Sequence, residues 1–261
     1  MKIGLGKLIE IDFKFWLKSN DYYSDKKMTT NVKTGFNHVS KAGLIRKYKE
    51  NLKTNQDLIN LIKQKIKQKN NPDFYSDIDL LTIFDLIQAW GGPMGRGPYV
   101  QPKANPSRKN QEKLYAQTYR RAVEMLYEID KDNYVYEKNI LPIKDKIEEL
   151  KRVGESFSTK HLSFWSRSLD NCPNLVIYDT RMREIIRAAN KNIKDDKIPY
   201  KNFIDALLKG KEVLKLEIHE IERAIFAFSS NYFKNKECTS KNLNKKFKTL
   251  KDKEIAMELV S

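Results

Sequence analysis

The sequence predicts an all-α protein of roughly eight to ten helices, with any β structure restricted to a short element at the N-terminus. Three observations support this prediction. Apolar residues recur at helical spacing from about residue 55 onwards, the alternation typical of a strand occurs only near the N-terminus, and no internal repeat is present. Of the 261 residues, 40% are hydrophobic, which is enough for one substantial core or two small lobes.

Near the N-terminus, Ile9, Ile11, Phe13 and Phe15 alternate with polar residues, as expected for a short strand. Between residues 55 and 69 the apolar positions trace one face of a helix: Leu58, Ile59, Leu61, Ile62 and Ile66. Residues 78–90 follow a turn and are apolar nearly all round. A helix of this kind is usually buried on most sides.

Residues 90–110 (WGGPMGRGPYVQPKANPSRKN) form the clearest break in the chain, because four glycines and four prolines fall within this span. We therefore expect an N-terminal helical region over residues 1–100. A second helical region is expected over residues 101–233. A basic C-terminal tail follows over residues 234–261.

Beyond the break, residues 109–129 are strongly amphipathic, with Leu114, Tyr119, Ala122, Leu126 and Ile129 predicted to point inward. Pro142 suits the first turn of the next helix, because its missing N–H would have no helical partner there. That helix carries Ile143, Ile147 and Leu150. The last long helices are predicted over residues 200–208 and 211–233.

The net charge of +16 favours a polyanionic partner such as nucleic acid. Much of the excess is lysine that alternates with asparagine, isoleucine and tyrosine. An AT-rich genome would produce the same bias without a polyanionic partner, so the charge alone leaves both explanations open.

Only two cysteines, Cys172 and Cys238, and three histidines, His38, His161 and His219, occur in the chain. Neither a zinc spacing nor an iron–sulfur set is present, so no metal and no cofactor are expected. Free thiols fit a reducing cytoplasm. The N-terminus is too interrupted by charge for a signal peptide, and no apolar stretch reaches membrane-spanning length. We therefore expect a cytoplasmic protein that does not contact a membrane.

Lys160 and Asp179 lie nineteen residues apart in the segment SFSTKHLSFWSRSLDNCPNLVIYDTRMREII, residues 156–186. The pattern predicts a helix that opens at Lys160, a turn, and an apolar run that delivers Asp179 to the start of another helix. The aspartate can cap that helix by accepting its free amide protons. Taken singly, Asp179 is explained as a cap and Lys160 as one of many lysines.

Taken together, the pair resembles the helix–hairpin–helix DNA glycosylase superfamily, and most closely its 8-oxoguanine DNA glycosylase branch. In that branch a lysine opens the second hairpin helix. An aspartate follows about nineteen residues later, in a Val/Ile-x-Asp-x-His/Arg pattern after an apolar run. Here the pattern reads Ile177-Tyr178-Asp179-Thr180-Arg181, and the similarity covers about residues 150–190. The chain would be a remote bacterial or phage-defence-like member.

One departure from the family concerns the hairpin, which normally carries a glycine–apolar–glycine turn whose amides hold a DNA phosphate. This chain has a single glycine there, Gly154, placed early. Ser158 and Thr159 are expected to cap the helix and to donate their hydroxyls to phosphate instead.

The resemblance implies a monomeric DNA glycosylase with two helical lobes that flank a cleft. Such an enzyme flips a damaged or modified base out of the duplex and excises it, in base-excision repair or in defence against phage DNA with modified bases. Asp179 would stabilise the oxocarbenium-like state of the sugar. Lys160 would be the nucleophile, which adds abasic-site lyase activity, if it loses its proton from an ordinary pKa of about 10.4. If Lys160 stays protonated, it binds phosphate and Asp179 activates water.

Further residues are assigned by type and position. The candidates for DNA-backbone contacts are Lys151, Arg152, Ser158, Thr159, Arg181, Arg183 and Arg187. The candidates for a base pocket or wedge are Trp90, Arg96, Tyr99, Phe157 and Trp165. His161 is interpreted as structural. The alternatives are a non-enzymatic nucleic-acid-binding protein that retains the fold and, with least support, a metal-dependent nuclease.

Overall fold

The structure is a computed structural model that describes residues 5, 13–14, 17, 48, 52, 54–67, 75–91, 112–150, 153–189 and 198–232. Within these ranges the regular secondary structure is helical and no strand occurs. The all-α prediction is therefore confirmed for the described part of the chain. None of the helices in these ranges is long and apolar enough to cross a membrane.

The chain packs as two compact units. The first unit, Asp21–Ile177, contains α1 (Asn55–Lys67), α2 (Asp77–Trp90), α3 (Glu112–Tyr127), α4 (Leu141–Glu148) and α5 (Glu155–Ser166). A single π-helical turn, Tyr136–Ile140, leads directly into α4. The second unit, Met1–Asn20 with Tyr178–Ser261, contains α6 (Thr180–Ala189), α7 (Tyr200–Leu214) and α8 (Ile218–Tyr232).

The prediction of an N-terminal strand is wrong for those of its residues that the structure describes. Phe13, Lys14 and Leu17 have helical backbone, and the side chain of Phe13 is buried. Phe13 and Leu17 are four residues apart, so they share one helix face, which the alternating pattern obscured. Ile9, Ile11 and Phe15 lie outside the described residues.

Helix α5 is the central element of the first unit, because it packs against α1, α2, α3 and α4. Every residue from Ser158 to Ser166 is buried. The prediction that α2 is buried on most sides is confirmed, since all ten residues from Leu80 to Ala89 are buried. Leu114, predicted to point inward, is 58% exposed in the first turn of α3.

In the second unit, α8 packs against α6 and α7. The chain just before α6 is anchored by Tyr178, whose hydroxyl donates to the carbonyl of Ile198 at 2.5 Å. The Tyr178 ring stacks on Phe203 with ring centroids 4.7 Å apart. The predicted boundary between helices over residues 200–208 and 211–233 is wrong, since α7 continues through Gly210 to Leu214 and α8 begins at Ile218. The missing Cβ of Gly210 makes room for the side chain of Leu5.

Lys215 ends α7 in the left-handed conformation, with φ 56° and ψ 39°, which costs a residue with a Cβ roughly 1–2 kcal/mol. We expect Lys215→Gly to raise the free energy of unfolding by about 1 kcal/mol, because glycine adopts this conformation freely. Urea denaturation measures the change. The matched control, Lys209→Gly at an exposed position inside α7, should instead lower stability by about 0.5–1 kcal/mol. A loss of stability in both variants would contradict the prediction.

Candidate functional site

The segment around Lys160 forms a helix–turn–helix from α4 and α5. Pro142 lies in the first turn of α4, as predicted. Gly154 has an extended backbone, and its carbonyl accepts the amide proton of Phe157, in the first turn of α5, at 2.8 Å. Helix α5 therefore begins at Glu155, and the prediction that it opens at Lys160 is wrong. The Thr159 hydroxyl donates to the carbonyl of Glu155 one turn earlier, which lets this residue continue the helix.

Lys160 is a buried lysine with only 7% of its surface exposed. Its Nζ donates to the hydroxyl of Ser156 at 2.9 Å and to the carbonyl of Ser156 at 3.2 Å. The amine also lies 4.6 Å from the centre of the Phe157 ring. Helical side chains tilt towards the N-terminus of their helix. The amine therefore lies beside the first turn of α5, although its Cα is in the middle of the helix.

Ser158 and Thr159 neither cap α5 nor reach solvent, since both are fully buried inside the helix. The Ser158 hydroxyl donates to Glu148 Oε1 at 2.6 Å, and the Thr159 hydroxyl donates to the carbonyl of Glu155 at 2.9 Å. The predicted caps are wrong. The predicted phosphate contacts cannot form in this conformation, because the hydroxyls are committed to protein acceptors.

Glu148, the acceptor of the Ser158 hydroxyl, belongs to an ion cluster that joins α4 to α5. Lys144 Nζ lies 3.0 Å from Glu148, 3.4 Å from Asp145 and 3.8 Å from Glu155. Burial opposes the charge on Lys144, but the hydrogen bond and charge of Glu148, with the two other carboxylates, leave its pKa raised. The cluster holds the helix that carries Lys160 against α4.

We expect Ser158→Ala to lower the free energy of unfolding by about 0.5–1.5 kcal/mol, because the partly exposed Glu148 carboxylate loses one hydrogen bond and keeps that from Lys144. Binding of duplex DNA should remain close to that of the wild type, since the hydroxyl is not exposed. Urea denaturation and fluorescence anisotropy measure the two effects. A large loss of DNA affinity at unchanged stability would restore the phosphate-binding assignment.

The structure places Trp165 in the core, so it cannot line a surface pocket in this conformation. Its side chain is fully buried, and Nε1 donates to the Tyr119 hydroxyl at 2.6 Å. That hydroxyl lies 2.8 Å from His161 Nδ1, and Gln88 Nε2 lies 3.1 Å from His161 Nε2. These four residues form a buried polar chain that connects α2, α3 and α5. The sequence contains no periodicity signal for it, because its members come from three separate helices.

His161 is the titratable centre of the buried polar chain. Burial, together with the charge of Lys160, lowers its pKa to about 3. The imidazole is therefore neutral at physiological pH, with one nitrogen as donor and the other as acceptor. Its ring also stacks on Phe84 with centroids 4.6 Å apart. These contacts agree with the structural role that was predicted for it.

Trp90 and Phe157 are both partly exposed and stay candidates for stacking on a base. Trp90 Nε1 donates to Asn55 Oδ1 at 2.5 Å, which fixes the ring orientation. The Phe157 ring packs so closely against Gly91 that a Cβ at residue 91 would lie 2.3 Å from Phe157 Cε1. Arg96 and Tyr99, the other two pocket candidates, lie outside the described residues.

Asp179, in the second unit, caps α6 as predicted. Its Oδ1 accepts the amide proton of Met182 at 3.1 Å, and its carbonyl accepts that of Arg183 at 3.1 Å. The Arg183 side chain donates to the Thr180 hydroxyl at 3.1 Å, and Arg183 and Arg187 are partly exposed. Two other predicted DNA contacts, Lys151 and Arg152, lie outside the described residues, as does the side chain of Arg181.

Within the described ranges, no group of three or more histidine, cysteine, aspartate and glutamate side chains is arranged to hold a metal ion. Cys172 is buried, and burial raises the pKa of its thiol to about 12. This thiol is therefore protonated and unreactive at neutral pH.

In comparisons with known proteins, the chain matches no family model, no curated protein and no solved structure. Its function is therefore inferred from the residues themselves and from the resemblance around Lys160 and Asp179.

Proposed function

We propose that this protein is a DNA glycosylase that excises a flipped, modified or damaged base, with Lys160 as nucleophile and Asp179 as the stabilising carboxylate. The observation that supports this most directly is the setting of Lys160. Its stem is buried in α5, and its amine is held at the first turn of that helix, beside the partly exposed Ser156 and Phe157. A buried stem orients the amine, and the partly exposed first turn gives it a route to substrate.

The proposed chemistry begins when the neutral amine of Lys160 attacks C1′ of the deoxyribose. The bond between C1′ and the base nitrogen breaks, and the base leaves with the electron pair and takes up a proton. Ring opening then gives an imine between Lys160 and the sugar. Elimination of the 3′ phosphate cleaves the strand, and water hydrolyses the imine to release the lysine.

Asp179 has a separate role in the proposed reaction. Loss of the base develops positive charge on the sugar, and a fixed carboxylate stabilises that charge. The hydrogen bond from Met182 to one oxygen fixes the orientation of the carboxylate, while the second oxygen provides further acceptor capacity.

DNA is the proposed partner because the net charge of +16 attracts a polyanion. Trp90 and Phe157 supply aromatic faces on which a base can stack. We also propose that the protein is monomeric and cytoplasmic. It would act in base-excision repair or in defence against phage DNA with modified bases.

Borohydride trapping tests the proposal on duplexes with oxidised, alkylated, deaminated or glucosylated bases. Borohydride reduces an imine to a stable amine, so the wild-type protein should form a covalent adduct with at least one duplex. Lys160→Gln should abolish the adduct. Lys160→Arg should abolish it while keeping the positive charge, because a guanidinium does not form the imine.

The matched control is Lys146→Gln, which removes a more exposed lysine of α4 and should leave the adduct intact. Thermal denaturation establishes that each variant is folded. Base release by the wild type that survives in both Lys160→Gln and Asp179→Asn would overturn the proposed site.

A non-enzymatic nucleic-acid-binding protein is the second candidate. One observation favours it: the amine of Lys160 is bonded to a backbone carbonyl of its own helix, as in a purely structural lysine. On this alternative, no base is released from any duplex, while binding weakens steeply between roughly 50 and 200 mM salt. Binding that does not change over this range would exclude nucleic acid as the partner under both hypotheses.

A further inference from the structure

Ser156 is a residue that neither the sequence motif nor the proposed reaction uses, yet it is bonded to the proposed nucleophile. It lies four residues before Lys160, on the same face of α5, and its hydroxyl is 2.9 Å from the amine. A role for Ser156 rests on the proposed function, in which that amine must lose its proton before it can attack.

The two Ser156 groups that bond to the amine differ in what they can do. The carbonyl only accepts a hydrogen bond, so it binds the ammonium form. The hydroxyl both donates and accepts, so it can accept from the ammonium and donate to the lone pair of the neutral amine. Of these two groups, the hydroxyl alone can hold the nitrogen in both protonation states.

Phe157 restricts the amine from another direction. Its ring centre is 4.6 Å from Lys160 Nζ, and the ring is itself packed against the backbone of Gly91 at the end of α2. The amine therefore has a hydrogen-bonding partner and an aromatic face at defined distances. Such positioning matters because a misplacement of about 1 Å can slow a reaction roughly 10²-fold.

We propose that Ser156 is a positioning residue for the Lys160 nucleophile, which it holds through its hydroxyl while the amine loses its proton and turns towards the sugar. Phe157 supports this arrangement by limiting where the amine can move. Ser156 does not itself react with the DNA.

The test compares Ser156→Ala, Ser156→Thr and wild type in single-turnover borohydride trapping across a pH series. Ser156→Ala should slow adduct formation roughly 10–100-fold with little change in DNA affinity. It should also move the acid limb of the pH profile to lower pH, because the bond lost by the ammonium is charge-assisted and therefore stronger than the bond lost by the neutral amine. Ser156→Thr retains the hydroxyl and should recover most of the rate.

Ser163→Ala is the control, since it removes a serine from the same helix that lies about 10 Å, or two turns, from Ser156. It should match wild type in rate and pH profile. If the wild type forms an adduct and Ser156→Ala reproduces its rate and pH profile, the inference is wrong and the proposed function stands. If no duplex traps the wild type, the proposed function fails, and the role of Ser156 fails with it.

Discussion

Asp179→Asn is expected to slow base release by roughly 10²–10⁴-fold while leaving the free energy of unfolding within about 1 kcal/mol of wild type. Asparagine keeps an oxygen that can accept the Met182 amide proton, and it caps helices about as well as aspartate. It lacks the negative charge that the proposed reaction requires. Single-turnover base release and urea denaturation measure the two effects on the same preparation.

Asp179→Ala separates the two roles of this side chain. It removes the cap as well as the charge, so it should lose about 0.5–2 kcal/mol of stability in addition to the activity. If Asp179→Asn releases base at the wild-type rate, the carboxylate is only a helix cap. Equal stability of the alanine variant and wild type would contradict the importance of the cap.

The second large effect concerns His161, which should make the protein lose roughly 4–5 kcal/mol of stability as the pH falls from 6.5 to about 3. Burial and the Lys160 charge lower the pKa of His161 in the folded protein to about 3, from an ordinary value of 6.5. Between these values the unfolded chain binds a proton that the folded protein excludes. The stabilisation is therefore complete above pH 6.5 and is lost as the pH falls through this window.

Urea denaturation at a series of pH values measures the effect, with His161→Gln as the comparison. Glutamine stays neutral and can still hydrogen-bond between Gln88 and Tyr119. Carboxylates titrate in both proteins, so the difference between the two stability curves isolates the histidine. The variant should be the less pH-sensitive of the two. Parallel curves would show that His161 does not carry the acid sensitivity.

Much of the local structure could be predicted from the sequence. The continuous apolar run over residues 78–90 predicted a helix buried on most sides, and α2 has that burial. Pro142 marked the first turn of α4, and Asp179 marked the start of α6. These features depend on neighbours within one turn, because caps, prolines and apolar spacing act over three or four residues.

Other predictions failed where the deciding partner lies far away in the sequence or where local signals conflict. Ser158 and Thr159 are residue types that often cap helices, but α5 begins earlier. The Ser158 hydroxyl donates instead to Glu148, ten residues away. Trp165 is a residue type that can stack on a base, but its N–H donates to the hydroxyl of Tyr119, 46 residues away in the core. Residue type alone could not distinguish these buried roles from exposed ones.

By itself the sequence determined that the chain is helical in its described parts and that Asp179 caps a helix. The assignment of Lys160 and Asp179 to a glycosylase reaction stays a prediction. The tertiary structure decided that Lys160 is buried with its amine beside Ser156, and that Ser158, Thr159 and Trp165 are enclosed. The physical reason is that helix formation follows short-range spacing. Burial is set only when α1, α2, α3 and α4 close around α5.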